Sequence, residues 1–394
     1  MRILYFSPRD CWPPTTGARL RDYHLARQLA KNNDLTFVAL VEPGMPTPAS
    51  PPESAGFRQV LIERGSSYTP MNLLRGLTGP LPVTLRNYTS AKAAAALAAL
   101  LRENRFDSVQ IEGIHLAEYV STIRHNSPKS LIVADWHNIE SELMDRYADG
   151  CTGLPRKLYA RRTAQLIAQA ENRLLAQCDV HTVVSEREKT KLMARNPNAR
   201  IEVVPNGVDA DSYGSIVRDP QSARNVIFVG SMDYHANIDG VLWLAREIWP
   251  VIAAARPEWK LQIVGRSPAA AVRALASDRI EVTGTVDDVR PYYAQAIALA
   301  VPLRVGGGTR LKILEAMASG VPVVSTSLGA EGIEIQDGVH MFLKNNSTEF
   351  ASAICDIHPG DPALQRMVKD SQDIVNKRYS WDSIGVAINR LHSH

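Results

Sequence analysis

The chain has 394 residues, 45% of them hydrophobic, 22% charged and 6% aromatic, with 24 Gly and 24 Pro. That composition excludes collagen, long coiled coil and bulk disorder, and the length exceeds what one hydrophobic core supports, so two domains are expected. Lys and Arg number 44 against 41 Asp and Glu, a net charge of +3, which is too small to point to nucleic acid but leaves room for a local basic patch.

Cys11, Cys151, Cys178 and Cys355 are far apart and form no C-x-x-C pair, so neither a zinc site nor a disulfide framework is indicated, and a reducing cytosol is the simplest setting. The opening MRILYFSPRD holds an apolar run too short for a signal peptide, and nowhere do about 18 uncharged apolar residues follow one another. A soluble protein is expected, or one lying on a membrane surface.

Short β-branched runs alternate with helical patterns along the chain, the signature of stacked βα units and parallel sheets. Strands are expected at Arg2–Ser7, Leu35–Val41, Gln59–Glu63, Ser108–Glu112, Leu131–Trp136, His181–Ser185 and Ile201–Pro205. Helices fall between them, at Ala18–Lys31 and the alanine-rich Ser90–Glu103. Segments 43–58 and 64–84, rich in Pro, Gly and Ser, read as mobile loops. After a loop at 209–225 the alternation restarts, with strands at Val226–Gly230, Lys260–Val264, Ile280–Thr283, Ile297–Pro302, Val321–Thr326 and His340–Leu343. The fold class is therefore α/β, with two Rossmann-like doubly wound domains. They are expected at 1–206 and 207–377, with ligands at the carboxyl ends of the strands and a cleft between the domains. A last helix, about 378–394, puts Trp381, Ile384, Ile388 and Leu391 on one face with Ser380 as its N-cap, and completes the first domain.

The most informative stretch runs from Val305 to Thr326. Gly306–Gly308 follow a strand, Thr309 is positioned to cap a helix, and Leu311, Leu314 and Ala318 form its buried stripe before Gly320 stops it. A glycine-rich loop opening a helix lets an anion reach unpaired N–H groups. Arg310 and Lys312 lie at the end where cations oppose the helix dipole, a placement that an anion would relieve; alternatively Lys312 pairs with Glu315 one turn on. The loop matches neither a Walker A motif nor G-x-G-x-x-G. Glu315, beside the stripe, suits a pair of vicinal hydroxyls such as a ribose, or a structural bond to a neighbouring backbone group.

Gly17 opens the corresponding helix of the first half, with Arg19 and Arg21 nearby. Asp135 and His137 follow the strand at 131–136, where the histidine suits hydrogen bonding to a sugar or acid–base work with Asp135 orienting it; an ordinary capped helix start is the alternative. No metal-ligand spacing or hydrolytic triad appears. The run 156–200 is basic, which fits an anionic lipid or a polyphosphate-linked acceptor, or simply the solvated face of a helix.

These residues resemble the retaining glycosyltransferases of the GT-B fold, family 4, over nearly the whole chain. The likeness rests on Val203-Val-Pro-Asn-Gly-Val-Asp209, Phe228-Val-Gly-Ser231, Gln262-Ile-Val-Gly265, Val282-Thr-Gly-Thr-Val286 and Lys312-Ile-Leu-Glu-Ala-Met-Ala-Ser-Gly-Val-Pro-Val-Val324. The resemblance implies a cytoplasmic transferase working on polysaccharide or glycoconjugate, with a nucleoside diphosphate sugar as donor and a saccharide, lipid-linked or small-molecule acceptor. It implies no cofactor or metal and no nucleic acid. Glu315 corresponds to the glutamate that meets the donor ribose, and Val286 to the position whose backbone meets the base. Gly230, Ser231, Gly265, Gly308 and Thr309 fall on the donor side, Gly17 in the first-domain loop, and His137 near a histidine directed at the donor sugar. Two departures stand out. Gly307 occupies the place of the family's first glutamate, and Met232 to Asn237 lack the usual pair of cations, for which Arg310 and Lys312 are the substitutes. A nucleotide-sugar epimerase of the same architecture and a non-catalytic nucleotide-sugar-binding protein remain alternatives.

Overall fold

A computed structural model describes residues 1–44, 46–65, 76, 79–306 and 308–393. Gly307 and most of the 64–84 loop's centre lie outside the described residues. The chain divides into two compact units, one formed by Met1–Pro205 with Ile384–His394, the other by Asn206–Ser383.

The first unit is built on a seven-stranded sheet in the order β3-β2-β1-β4-β5-β6-β7. Its strands are β1 (Arg2–Ser7), β2 (Asp34–Val41), β3 (Arg58–Glu63), β4 (Ser108–Glu112), β5 (Leu131–Trp136), β6 (Val180–Val183) and β7 (Ile201–Val203). Every pairing is parallel. Parallel strands are covered by helices on both faces, which is why β1, β2 and β4 read as continuous apolar runs and are buried along nearly their whole length. The second unit repeats the arrangement as a six-stranded sheet, β10-β9-β8-β11-β12-β13. It uses β8 (Asn225–Val229), β9 (Lys260–Val264), β10 (Ile280–Gly284), β11 (Ala296–Val301), β12 (Val323–Ser325) and β13 (Phe342–Leu343). Each expected strand is present with ends within two residues of those read from the sequence. The exceptions to the loop readings are a short turn of 3-10 helix at Glu53–Ala55 within segment 43–58 and a single helical turn at Val83–Arg86 that begins at the end of segment 64–84.

In both sheets the strand order reverses beside the first strand, between β1 and β4 and between β8 and β11. Crossovers leave in opposite directions there, so the loops diverge and open a crevice at the carboxyl ends. The final helix, Trp381–His392, begins in the second unit and ends in the first. Ile384, Ile388 and Leu391 are buried, the Ser383 N–H donates to Ser380 Oγ at 3.2 Å, and His392 bridges Ser108 Oγ (2.7 Å) and Gln110 Oε1 (2.9 Å) on β4.

Candidate functional site

Beside the switch point of the second sheet, Gly230 directly follows β8 and Gly265 directly follows β9. The Gly230 N–H donates to Val264 O at 3.0 Å. A Cβ on Gly265, whose φ is +149°, would stand 1.7 Å from Gly230 O, so only glycine lets the two strand ends approach this closely. A Cβ on Gly230 would meet Lys312 Nζ and Asn237 Nδ2, each at 2.8 Å. The empty side of Gly230 is therefore where the Lys312 ammonium sits.

That ammonium donates to Asn237 Oδ1 (3.2 Å) and lies 4.2 Å from the Phe228 ring centroid. Asn237 in turn donates to Ser231 O at 2.8 Å. Among the described residues no carboxylate lies in ion-pair range of Lys312, and the i+3 pair with Glu315 does not form. Burial, and secondarily the neighbouring Arg310 charge, pull Lys312 down to about 7. Glu315 is engaged elsewhere: it accepts from the Tyr293 hydroxyl at 2.8 Å and from Tyr213. Burial raises its pKa while the two phenols oppose the rise. Two phenols leave a carboxylate with acceptor capacity to spare.

The start of the Leu311–Ala318 helix differs from expectation. Its N-cap is Arg310, with no side-chain capping bond, and Thr309 Oγ1 is buried without a hydrogen-bond partner among the described residues. Gly308, at φ +82°, holds the chain in a left-handed turn, and the helix begins one residue later than a Thr309 cap would place it. Arg310 is buried and hydrogen-bonded to Tyr234, so of the two expected cations Lys312 is the one beside Gly230. Val286 follows β10 and packs half-buried on the core.

Sequence reasoning missed Arg266. Its Nε donates to Ser231 Oγ at 3.0 Å, and Ser231 Oγ also bonds Asp233 (2.6 Å). The cation absent from the loop after β8 is thus supplied from the loop after β9; the signal was a basic residue directly following the strand-ending glycine. Tyr213 and Tyr293 had no such signal.

In the first unit, Gly17 is exposed at the start of the Gly17–Ala30 helix, which Thr16 caps. Both nearby arginines are taken up by acids. Arg19 pairs with Asp10 at 2.6 Å. Arg21 is buried and grips Asp135 with two bonds, 2.8 and 2.7 Å, while donating to Val204 O and Pro205 O. Burial opposes the Asp135 charge, but Arg21 wins and holds its pKa at about 2. Asp135 is therefore the anchor of a buried ion pair, and it lies 3.7 Å from His137 Nε2. The orienting acid is Glu112 on β4, at 2.9 Å from that nitrogen. Burial, then the Asp135 charge, raises Glu112 to about 8, and burial lowers His137. Asp22 completes the group at 3.6 Å from His137 Nε2, with its other oxygen held by Ser7 (2.9 Å) and Arg9 (3.2 Å). Asp22, Glu112 and His137 bring three ligand-type atoms within 4.8 Å of one another. Two of them already share a hydrogen bond and the Arg9 guanidinium adjoins, so the arrangement is that of a hydrogen-bonded acid–imidazole network with arginine counter-ions.

Residues 223–358 match the domain family described as "Glycosyl transferases group 1", and residues 17–212 match "Glycosyltransferase Family 4". Phosphatidyl-myo-inositol mannosyltransferase of Mycobacterium leprae is 28% identical over 199 residues, 48% of this chain and 52% of that one. An uncharacterized 44.6 kDa protein in the cps region of Klebsiella pneumoniae is 24% identical over 164 residues, 39% and 42% of the two chains. The chain thus spans about half the length of the curated relatives it matches. Sucrose-phosphate synthase from Thermosynechococcus elongatus superposes with a TM-score of 0.72 at 16% identity, covering 100% of this chain and 98% of that one. HepE of Anabaena, in complex with UDP, gives 0.69 at 16% identity with full coverage of both, 100% and 100%. At that identity the structural likenesses establish the fold, and with both halves matching glycosyltransferase domain families, the chain belongs to the GT-B glycosyltransferases.

Proposed function

We propose that the chain is a retaining glycosyltransferase of family 4 that moves a sugar from a nucleoside diphosphate sugar to an acceptor hydroxyl. The observation that carries this reading is the Lys312 ammonium, beside Gly230 at the switch point, with burial pulling its pKa to about 7 and no carboxylate among the described residues to pair it. A diphosphate is the partner that such a cation lacks. Arg266 adds a second positive charge by Ser231, and the helix beginning at Leu311 adds its dipole.

In the reaction the bond from the anomeric carbon to the diphosphate oxygen breaks, and the acceptor oxygen bonds that carbon from the same face. The acceptor proton passes to the departing phosphate oxygen, so no side chain need act as covalent nucleophile. Lys312 and Arg266 stabilise the charge that builds on the leaving group. Glu315, fixed by Tyr293 and Tyr213, takes the ribose hydroxyls, and the Val286 backbone meets the base. In the first unit His137, beside Glu112, is the group suited to hydrogen-bond a substrate hydroxyl. A saccharide or lipid-linked acceptor is supported by the mannosyltransferase and cps-region relatives, and with it a place in polysaccharide or glycoconjugate synthesis.

Thermal-shift titration with UDP-, GDP-, ADP- and dTDP-sugars, followed by a transfer assay with the nucleotide that stabilises, tests the reading. One nucleotide class is expected to raise Tm, and Glu315→Ala to abolish transfer. Absence of any shift, or full activity in Glu315→Ala, would sink the assignment. An isomerised sugar product would point to an epimerase, and tight binding without turnover to a binding protein.

A further inference from the structure

The basic run 156–200 divides in two once its partners are seen. In its later part Arg173 pairs with Glu118, Arg187 and Lys191 with Glu142, Lys189 with Glu202, and Arg195 with the buried Glu171. Those cations serve the first unit's own packing. The earlier part, at the tip of the helical hairpin formed by Glu140–Gly150 and Leu154–Gln177, is different. No acid occurs from 150 to 170, while Arg156, Lys157, Arg161 and Arg162 lie in the first turns of the second helix. Arg156 and Lys157, in the first turn, oppose the helix dipole, and the N-cap, Gly153, offers no side-chain bond to the helix.

The same tip exposes large apolar side chains. Among the described residues, twelve such side chains are exposed, and four of them, Tyr147, Leu154, Leu158 and Tyr159, fall within residues 147–159. Scattered singly they would need no explanation, but a third of the total on one hairpin tip is a patch. Leu154 is 70% exposed and Leu158 57%. One turn apart, they point away from the face that buries Ala160, Thr163, Ala164 and Ile167. At 100° per residue Lys157 and Arg161 flank them on one edge and Arg162 on the other. Arg161 makes only a 3.4 Å contact with exposed Asp149, Arg162 donates to Gly79 O, and Lys157 has no ion-pair partner among the described residues.

We propose that this hairpin tip docks the protein on an anionic phospholipid surface. Leu154, Leu158 and Tyr147 enter the boundary between headgroups and acyl chains while Lys157 and Arg161 extend their charges to lipid phosphates. The charge complementarity selects a lipid bilayer over a second copy of the chain, which would set like charges against each other. No helix among the described residues is long and apolar enough to cross a membrane, so the attachment is peripheral. Docking is independent of the transfer reaction and is read without any substrate.

Co-sedimentation of the whole chain with vesicles of phosphatidylcholine containing about one-third phosphatidylserine, against phosphatidylcholine alone, tests this. Binding is expected to the anionic vesicles only and to weaken as salt is raised. Lys157→Gln with Arg161→Gln should reduce the partition constant about fivefold per cation removed, and Leu154→Ser with Leu158→Ser should abolish binding. Leu154, Leu158 and Arg161 are exposed and Lys157 is half-buried at the edge of the patch, and unchanged circular dichroism and Tm would show that the variants fold. Equal sedimentation of wild type and both variants, or no wild-type binding to the anionic vesicles, would overturn the proposal. So would a lipid-free dimer that the leucine variant dissolves, since the patch would then belong to a second copy.

Discussion

Replacing Lys312 by Met separates stability from function in a way few substitutions do. In the ligand-free protein, burial and Arg310 lower the ammonium from 10.5 to about 7, which corresponds to about 5 kcal/mol at 1.36 kcal/mol per pH unit. The residue is half-buried, so screening reduces this to a few kcal/mol. Because the folded pKa lies below the unfolded one, the penalty is fully present below about pH 7 and fades as pH climbs toward 10.5. Methionine keeps the apolar stem against Phe228 and carries no charge. Lys312→Met is therefore expected to raise Tm by about 5–10 °C at pH 7 in the absence of ligand, with the gain shrinking above pH 9. Transfer moves the other way. A charge-assisted contact to the leaving diphosphate is worth roughly 1.5–3 kcal/mol, so kcat/KM should fall by about 10- to 150-fold. In the wild type, donor binding above about pH 7 must take up a proton, so Kd should rise by up to about tenfold per pH unit, a slope the variant lacks. Differential scanning calorimetry at pH 7 and 9, with donor titrations across the same range, reads all three. A lower Tm at pH 7, or wild-type transfer in Lys312→Met, would refute the reasoning.

The two strand-end glycines should respond oppositely. Gly265→Ala drives a Cβ into the Gly230 carbonyl and is expected to cost more than about 3 kcal/mol of stability. Gly230→Ala meets only the tips of Lys312 and Asn237, so it should melt within about 1 kcal/mol of wild type while donor affinity drops; thermal melts and donor titrations showing the reverse order would contradict this packing. Asp135→Asn leaves Arg21 buried without its counter-charge and should lower stability by about 3–5 kcal/mol in urea unfolding. His137→Ala, at a position 18% exposed, should melt nearly as wild type yet lose transfer; a stable, inactive Asp135→Asn would instead return Asp135 to the chemistry.

Much of the fold was legible because buried parallel strands are short, uninterrupted apolar runs between helical patterns, a local signal that needs no knowledge of partners. Both sheets, the helix at Leu311–Ala318 and the buried face of Trp381–His392 follow from such patterns. The site was legible in part. Gly230, Lys312 and Glu315 could be singled out because glycine and charge at strand and helix ends have few other uses. Their pairings could not. An i+3 pair between Lys312 and Glu315 is reasonable on an isolated helix, but Tyr293 and Tyr213 reach Glu315 from outside it. Asp135 looks like the partner of His137 because the two are close in sequence and share a face, yet Arg21, reaching across from the first helix, takes up the aspartate, and Glu112 on the neighbouring β4 comes nearer to the imidazole.

The amino-acid order by itself determined the elements, their parallel pairing and the glycine-rich loop that opens a helix in the second half, since these depend on neighbours a few residues away. Tertiary structure alone decided that Arg266 comes to stand beside Ser231, that Glu112 meets His137, and that the cations of the basic run's later part pair with acids of the first unit while those at the hairpin tip are more loosely held. Those outcomes depend on which strands and helices lie side by side, which brings side chains from distant parts of the chain within hydrogen-bond range, a distance that periodicity and spacing do not encode.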